Sequence, residues 1–173
     1  DNGMIINTKK TKEMLIHFGK RVDRRSLKNI TMNGAEIERV EKFKLLGVYF
    51  SSDLSWTVHV DYIVSKALRR LFVVCQLVNA RVPTKDIVEI YCAIVRSVLE
   101  YACPVWHGGF TKSQSADIEN VQKRYLRLIY PQSSYNEALH SSGLQRLDDR
   151  NNAASRQKIY TDSSTVFQIQ KLK

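Results

Sequence analysis

The chain has 173 residues, with 27 lysines and arginines against 17 aspartates and glutamates, a net charge of +10 and a pI near 9.6. This excess of positive charge favours a polyanionic partner, either a nucleic acid or an acidic membrane surface. The sequence has no apolar run of membrane-spanning length and no signal-peptide pattern at its start, which argues against a membrane protein. We expect an intracellular protein, in the nucleus or the cytoplasm. We also expect a piece of a longer chain, because the first residue is Asp1 and not a methionine.

The three cysteines predict neither a disulfide framework nor a metal site. Cys75, Cys92 and Cys103 lie in apolar surroundings and show no short paired spacing. Cys103 and His107 are four residues apart, but Pro104 lies between them and no second pair of ligands accompanies them. Because a structural metal normally needs four ligands, we interpret this pair as incidental and predict no metal site.

The first 55 residues carry strand signals. In "EMLIHF" (13–18) apolar residues alternate between two faces, which predicts a strand that is covered on both sides. Asn33-Gly34 separates two alternating runs and predicts a tight hairpin, since both central residues tolerate a positive φ. "FKLLGVYF" (43–50) predicts a third strand, interrupted at Gly47, where a glycine indicates a bulge or the close approach of another backbone or a ligand.

From Ser55 onward the apolar period changes from two residues to 3.6, which predicts helices. The first helix has an apolar stripe of Val60, Ile63, Val64, Ala67, Leu68, Leu71 and Val78, with Lys66, Arg69 and Arg70 outside it. The second opens at Pro83 and Thr84, with Thr84 as a candidate N-cap, and is ended or kinked at Pro104.

A third amphipathic helix is predicted over "SADIENVQKRYLRLIY" (115–130), with Lys123, Arg124 and Arg127 outside its apolar stripe and Pro131 as its stop. Ser134 and Glu137 then form a predicted capping box, and Gly143 a predicted helix stop. The fold class is therefore α+β: a small antiparallel sheet over residues 1–54, an α-helical bundle over 55–131, and a helical extension over 132–173.

Four segments in this order carry a resemblance: "GMIINTKKTKEMLIHF" (3–18), "FKLLGVYFSSDLSWTVHVDYIVSKA" (43–67), "VLEYACPVWHGG" (98–109) and "IENVQKRYLRLIY" (118–130). Together they resemble the end of the palm and the thumb of reverse transcriptases from non-LTR (LINE-type, jockey or CR1-like) retrotransposons. The resemblance covers about residues 3–150. It implies that the sheet is the end of a polymerase palm and that the helical bundle is the thumb.

The resemblance also implies roles for individual residues. Asn7, Lys10 and Thr11 match the segment that follows the catalytic hairpin, which makes Lys10 the candidate general acid for the departing pyrophosphate. The primer grip, which holds the 3′ end of the growing strand, is matched by Phe43, Lys44, Leu45, Leu46 and Gly47. The helices that follow Trp56 match the thumb, which packs against the template-primer duplex.

The spacing of the cations agrees with a phosphate-binding role. Lys66 and Arg70 are four residues apart, as are Lys123 and Arg127, so each pair shares a helical face. With Arg69 and Arg124 beside them, these faces can follow successive phosphates and give affinity without sequence readout. The alternative is that they are ordinary solvated faces of a helical bundle.

The polymerase chemistry itself is expected outside this chain. The family's metal-binding aspartates lie on strands that precede the first residue, and Asp148-Asp149 in "LDDR" is interpreted as a helix start. We therefore expect no catalytic carboxylates and no cofactor here, and Mg²⁺ only in the complete RNA-directed DNA polymerase. The expected partners are an RNA template with a DNA primer and the upstream palm and fingers. The alternative function is a non-catalytic nucleic-acid-binding or interaction module, a decayed or repurposed retroelement remnant.

Overall fold

The structure, a computed structural model, describes residues 7–16 and 28–156. It divides the chain into two compact units: unit 1 comprises residues 1–59 and unit 2 residues 60–173. The described strands all belong to unit 1, and the helices follow them along the chain. This mixed content agrees with the predicted α+β class.

Unit 1 is built from short strand pairs. Its strands are β1 (Lys12–Glu13), β2 (Thr31–Met32), β3 (Ala35–Glu36), β4 (Glu38–Arg39), β5 (Lys42–Leu45) and β6 (Val48–Ser51). β2 pairs with β3 and β5 with β6, both antiparallel, whereas β1 pairs with β4 in parallel. The described residues thus form three two-stranded ladders, where the sequence predicted one antiparallel sheet.

Two hairpins turn on pairs of left-handed residues. Asn33 and Gly34 have φ values of 51° and 75°, and they join β2 to β3 as predicted. Leu46 and Gly47 have φ values of 47° and 87° and join β5 to β6. The prediction of one strand interrupted at Gly47 was therefore wrong, because two successive left-handed residues reverse the chain instead of bulging it.

The strand predicted over 13–18 is much shorter than expected. Only Lys12 and Glu13 pair, and residues 14–16 have no regular structure, while His17 and Phe18 lie outside the described residues. The Glu13 carboxylate accepts hydrogen bonds from the Ile30 N–H (3.1 Å) and from Arg39 Nη2 (2.9 Å). The Ile30 hydrogen bond lowers the pKa of Glu13, so these bonds to the charged carboxylate stabilise the short pairing.

His59 belongs to a small aromatic cluster in unit 1. The Trp56 ring lies 5.7 Å from that of Phe50 and 6.2 Å from that of His59. His59 is fully buried, and its Nδ1 accepts a hydrogen bond from the Tyr49 N–H at 3.4 Å. Burial lowers the pKa of His59 to about 4, because the charged imidazolium would lose its hydration.

The helical part of the chain consists of α1 (Thr57–Asn79), α2 (Thr84–Tyr91), a π-helical segment (Cys92–Arg96), α3 (Ser97–Leu99), α4 (Cys103–Trp106), a 3-10 turn (His107–Gly109), α5 (Lys112–Ile129), α6 (Tyr135–Ser142) and helical residues 147–156. The predicted apolar stripe of α1 is buried at Val60, Ile63, Ala67 and Leu71. None of the helices within the described residues is both long enough and apolar enough to cross a membrane.

The caps of α5 and α6 decide where these helices begin. α5 starts at Lys112, before the predicted Ser115, because Thr111 and Gln114 form a capping box. The predicted capping box of Ser134 and Glu137 is present at the start of α6. The predicted stop after α6 is also present, since Gly143 adopts a left-handed conformation with φ 66°.

The second predicted helix differs most from expectation. Thr84 is its first helical residue and not its cap, since the N-cap position is occupied by Pro83, whose side chain cannot accept a hydrogen bond. The helix widens into the π-helical segment and ends at Leu99. The break precedes Pro104, which lies in the first turn of α4, where its missing N–H costs no helical hydrogen bond.

A buried polar network joins the helices of unit 2. Gln122, which is fully buried on α5, accepts a hydrogen bond from the Tyr91 hydroxyl (3.1 Å). Its Nε2 donates to the Tyr135 hydroxyl (3.2 Å) and to the Gln145 carbonyl (3.0 Å). The rings of Tyr91 and Tyr125 stack with their centroids 3.6 Å apart. One amide thus connects α5 to α2, to α6 and to the segment that precedes residue 147.

The burial of His59 predicts a loss of stability in mild acid. An unfolded histidine has a pKa near 6.5, so the unfolded state binds more protons than the folded state between pH 6.5 and about 4. The contribution of neutral His59 to the free energy of unfolding should be complete above pH 6.5. It should decrease by up to about 3 kcal/mol as the pH drops through this window. Chemical denaturation of wild type and His59→Gln at pH 7 and pH 5 measures this decrease. In the variant, the free energy of unfolding should differ much less between the two pH values. The exposed His140→Gln is the control, and equal pH dependence in all three proteins would contradict the assignment.

The Gln122 network predicts a large loss of stability on its removal. Gln122→Met keeps the volume of the side chain but leaves the Tyr91 hydroxyl and the Gln145 carbonyl without their partner. We expect a loss of about 2–4 kcal/mol in the free energy of unfolding, because each unsatisfied buried polar group costs about 1–3 kcal/mol. Urea denaturation measures it against Gln76→Met, an exposed position on α1. A loss no larger than that of the control would show that the network contributes little.

Candidate nucleic-acid interface

The β5–β6 hairpin presents the residues predicted to hold the primer. Every residue of β5 is exposed, including Phe43 (38%) and Leu45 (52%). Leu46 in the turn is 83% exposed, and Gly47 follows it. The Lys44 ammonium lies 5.4 Å from the centre of the Tyr49 ring across the hairpin. The hairpin thus displays apolar side chains and a cation together, as a surface that contacts sugars, bases and phosphates would.

Lys10, the candidate general acid, lies in an exposed turn at residues 8–10. Asn7 holds this turn: its carbonyl accepts from the Lys10 N–H at 3.1 Å and its Oδ1 from the Lys9 N–H at 3.1 Å. The turn fixes the backbone of Lys10 and leaves the residue exposed to solvent.

The three predicted cations of α1 have different surroundings. The Lys66 ammonium lies 5.7 Å from the centre of the Tyr62 ring, and Arg69 is exposed. Arg70 is half-buried, and its guanidinium donates to the carbonyl of Ile94 in the π-helical segment. Arg69 is therefore the exposed cation of the three, whereas Lys66 is half-buried like Arg70, and Arg70 contributes to packing within unit 2.

The predicted cations of α5 are divided between two sides of the helix. Arg124 and Arg127 are exposed and line a cavity of about 420 Å³ whose apolar wall includes Phe72 of α1. The Lys123 ammonium lies 5.5 Å from the centre of the Tyr135 ring of α6. The sequence placed these cations on one outer face, whereas the structure directs two towards α1 and one towards α6.

Sequence reasoning missed a second group of cations near the start of α5. Lys112, Arg146 and Arg156 line a cavity of about 650 Å³ together with Lys123. Lys112 and Arg146 lie at helix boundaries, where the apolar period of 3.6 residues does not show which side of a helix a residue occupies. The pattern T-x-x-Q at Thr111 and Gln114 is the signal that would have placed Lys112 at the first turn of α5.

Asp148 of the aspartate pair, and both Cys103 and His107, have polar partners within unit 2. Asp148 accepts a hydrogen bond from the Ser115 hydroxyl (2.8 Å) at the start of helical residues 147–156. Cys103 Sγ lies 3.7 Å from the Asn151 carbonyl, and burial raises the pKa of its thiol to about 11. His107 Nε2 lies 3.1 Å from Asn152 Oδ1.

Other acidic residues of unit 2 also have structural partners. The Glu100 carboxylate accepts from Arg96 Nε at 3.0 Å and from Arg150 Nε at 2.7 Å. The buried Glu119 carboxylate accepts from the Leu147 N–H at 2.9 Å and from the Tyr135 hydroxyl. Over residues 7–16 and 28–156 no group of three or more histidines, cysteines, aspartates and glutamates is arranged to hold a metal ion.

The chemistry available at these surfaces is the binding of polyanions by cations and exposed apolar side chains. Coulomb attraction between lysine or arginine and phosphate is independent of base sequence. Comparison of the chain with protein-family models, with curated proteins and with solved structures finds no match.

Proposed function

We propose that the chain is part of the reverse transcriptase of a non-LTR retrotransposon, namely the end of the palm with the primer grip, followed by the thumb. Its function is to hold the 3′ end of the primer and the template-primer duplex. The observation that carries the proposal is the β5–β6 hairpin, whose exposed residues lie within the segment that resembles the family's primer grip.

The exposure of the hairpin residues supports a role in holding the primer. Phe43, Leu45 and Leu46 expose large apolar side chains, which usually mark an interaction surface when they are contiguous. Apolar side chains pack on the sugar and base of a terminal nucleotide, and Lys44 offers a charge for the adjacent phosphate. The tight turn at Leu46 and Gly47 fixes the end of the hairpin and so limits the movement of this surface.

The cations of α1 and α5 support binding of the duplex. Lys66 and Arg69 on α1 and Arg124 and Arg127 on α5 attract phosphates without reading bases. A polymerase needs this tolerance, because its template changes at each step. The described part of the chain gives neither Arg124 nor Arg127 an ion-pair partner.

Metal-dependent chemistry is assigned to the upstream palm of the complete enzyme. Mg²⁺ there would activate the primer 3′ hydroxyl and neutralise charge on the incoming triphosphate. The carboxylates of Glu13, Glu100, Glu119 and Asp148 do not fit that role, because arginine, backbone N–H or hydroxyl groups already occupy them. The chain described here would position the nucleic acid.

The same engaged carboxylates favour a second candidate function: a nucleic-acid-binding module without catalysis, derived from a retroelement. Such a module keeps the basic helices but has no requirement to recognise a primer end. The two candidates therefore differ in one measurable property, the preference for a recessed 3′ end.

Duplex binding should be salt-sensitive and independent of sequence. With about five phosphate contacts, the affinity for an RNA–DNA hybrid should fall by roughly 10²- to 10³-fold between 50 and 200 mM salt. Lys66→Ala and Arg69→Ala should each lower the slope of log K against log salt by about 0.9. Fluorescence anisotropy measures the slope. Lys85→Ala removes an exposed charge from α2 and should leave the slope unchanged; an equal effect of all three substitutions would show that only net charge matters.

Binding should also prefer a recessed primer end. We expect tighter binding to a hybrid with a recessed DNA 3′ end than to a blunt hybrid with the same number of base pairs. Phe43→Ser with Leu46→Ser should abolish this preference and keep the salt slope, since the substituted residues are uncharged. Leu54→Ser, at another exposed leucine of unit 1, is the matched control. Equal affinity of the wild type for both hybrids would support the non-catalytic module.

A further inference from the structure

A cationic cavity of about 650 Å³ lies in unit 2 beside the first turn of α5. Four cationic side chains from α5 and from the segment after α6 line it: Lys112, Lys123, Arg146 and Arg156. Phe110 also lines the cavity, one residue before Thr111, the N-cap of α5. The volume falls within the range of about 300–1,000 Å³ that is typical of ligand sites.

The charge of the cationic cavity is only partly neutralised by protein groups. Glu119 also lines the cavity, and Arg146 Nε lies 3.9 Å from its carboxylate. Asp148, the other acidic residue of the lining, accepts from the Ser115 hydroxyl. Two carboxylates thus face four cations. Neither Lys112 nor Arg156 has an ion-pair partner in the part of the chain that the structure describes.

Helix α5 adds to the positive potential of the cavity. Its N-terminal turn, at Thr111 and Lys112, contributes to the lining, and an 18-residue helix carries a partial positive charge at that end. The chemistry that fits is that of a polyanion, and phosphate groups in particular.

An aromatic surface lies beside these cations. The Phe110 ring stacks on Trp106, with the ring centroids 4.5 Å apart and the planes inclined by 20°. Trp106 is fully buried, and its indole N–H donates to the Tyr101 carbonyl at 2.8 Å. The position of Phe110 is therefore fixed from one side, while the residue contributes to the cavity wall.

We propose that the cationic cavity binds single-stranded nucleic acid, with its phosphates at Lys112, Lys123, Arg146 and Arg156 and one base stacked on Phe110. Cations beside an aromatic ring are the combination that binds single strands with little sequence preference. A duplex fits less well, because its bases stack on one another and leave none for Phe110. This inference rests on the proposed function for the class of ligand, and it adds a contact for an unpaired strand to those for the duplex.

Fluorescence anisotropy with the full 173-residue chain tests the proposal, using labelled twelve-nucleotide oligothymidylate and oligouridylate. Phe110→Leu keeps an apolar side chain against Trp106 but removes the aromatic ring. We expect it to weaken binding of both oligonucleotides about 5- to 10-fold or more. Phe72→Leu, at an exposed phenylalanine of α1, is the matched control and should have no effect. Circular dichroism checks that both variants are folded.

The ionic part of the site has its own test. Lys112→Gln should lower the salt slope for the single strand by about 0.7, whereas Lys85→Gln should not change it. Pyrophosphate and ATP serve as competitors: a strand that occupies several cations and the ring should be displaced only weakly by either one. Displacement by ATP as effective as that by unlabelled oligonucleotide would overturn the proposal in favour of a mononucleotide site.

The outcome separates this inference from the proposed function. Phe110→Leu should leave the affinity for the blunt RNA–DNA hybrid and its salt slope unchanged. If the hybrid does not bind but the single strand binds in a Phe110-dependent manner, the duplex function fails and the cavity assignment stands. If the hybrid binds with the expected slope while Phe110→Leu and Phe72→Leu have equal effects on the single strand, the cavity assignment fails.

Discussion

A single buried amide, that of Gln122, links α5 to three other segments of unit 2. Its oxygen and nitrogen connect a tyrosine of α2, a tyrosine of α6 and the Gln145 carbonyl. A buried amide must satisfy its donors and acceptor within the protein, so it accepts few alternative arrangements of its neighbours. Burial also raises the pKa of the Tyr91 hydroxyl, which therefore stays a protonated donor to Gln122.

The arrangement around Gln122 gives α5 two different sides. On one side Arg124 and Arg127 meet the apolar wall that includes Phe72 of α1. On the other side Lys123 meets Tyr135 of α6 and the cationic cavity. One helix thus presents charge in two directions, on either side of a buried stripe that includes Ile118, Gln122 and Tyr125. If both proposed contacts form, a paired and an unpaired part of one nucleic acid are both held through α5.

The parts of the structure that the sequence predicted depend on local signals. The Asn33-Gly34 hairpin, the apolar stripe of α1 and the Ser134 capping box each follow from residues within a few positions of one another. The π-helical segment and the cationic cavity depend on packing between distant segments. Phe110 and Arg146, for example, are separated by 36 residues in the chain and meet only in the folded unit. Spacing along one helix found Lys123 and Arg124, but their neighbours α6 and α1 decide what each one contacts.

Leu46 combines two unfavourable properties. Its φ of 47° is a left-handed conformation, which costs a residue with a Cβ atom about 1–2 kcal/mol, and its side chain is 83% exposed to water. The equivalent position of the β2–β3 turn is occupied by asparagine, which tolerates this conformation better. A residue selected for folding alone would be asparagine or glycine at this position, so a screen for stability would be expected to replace Leu46.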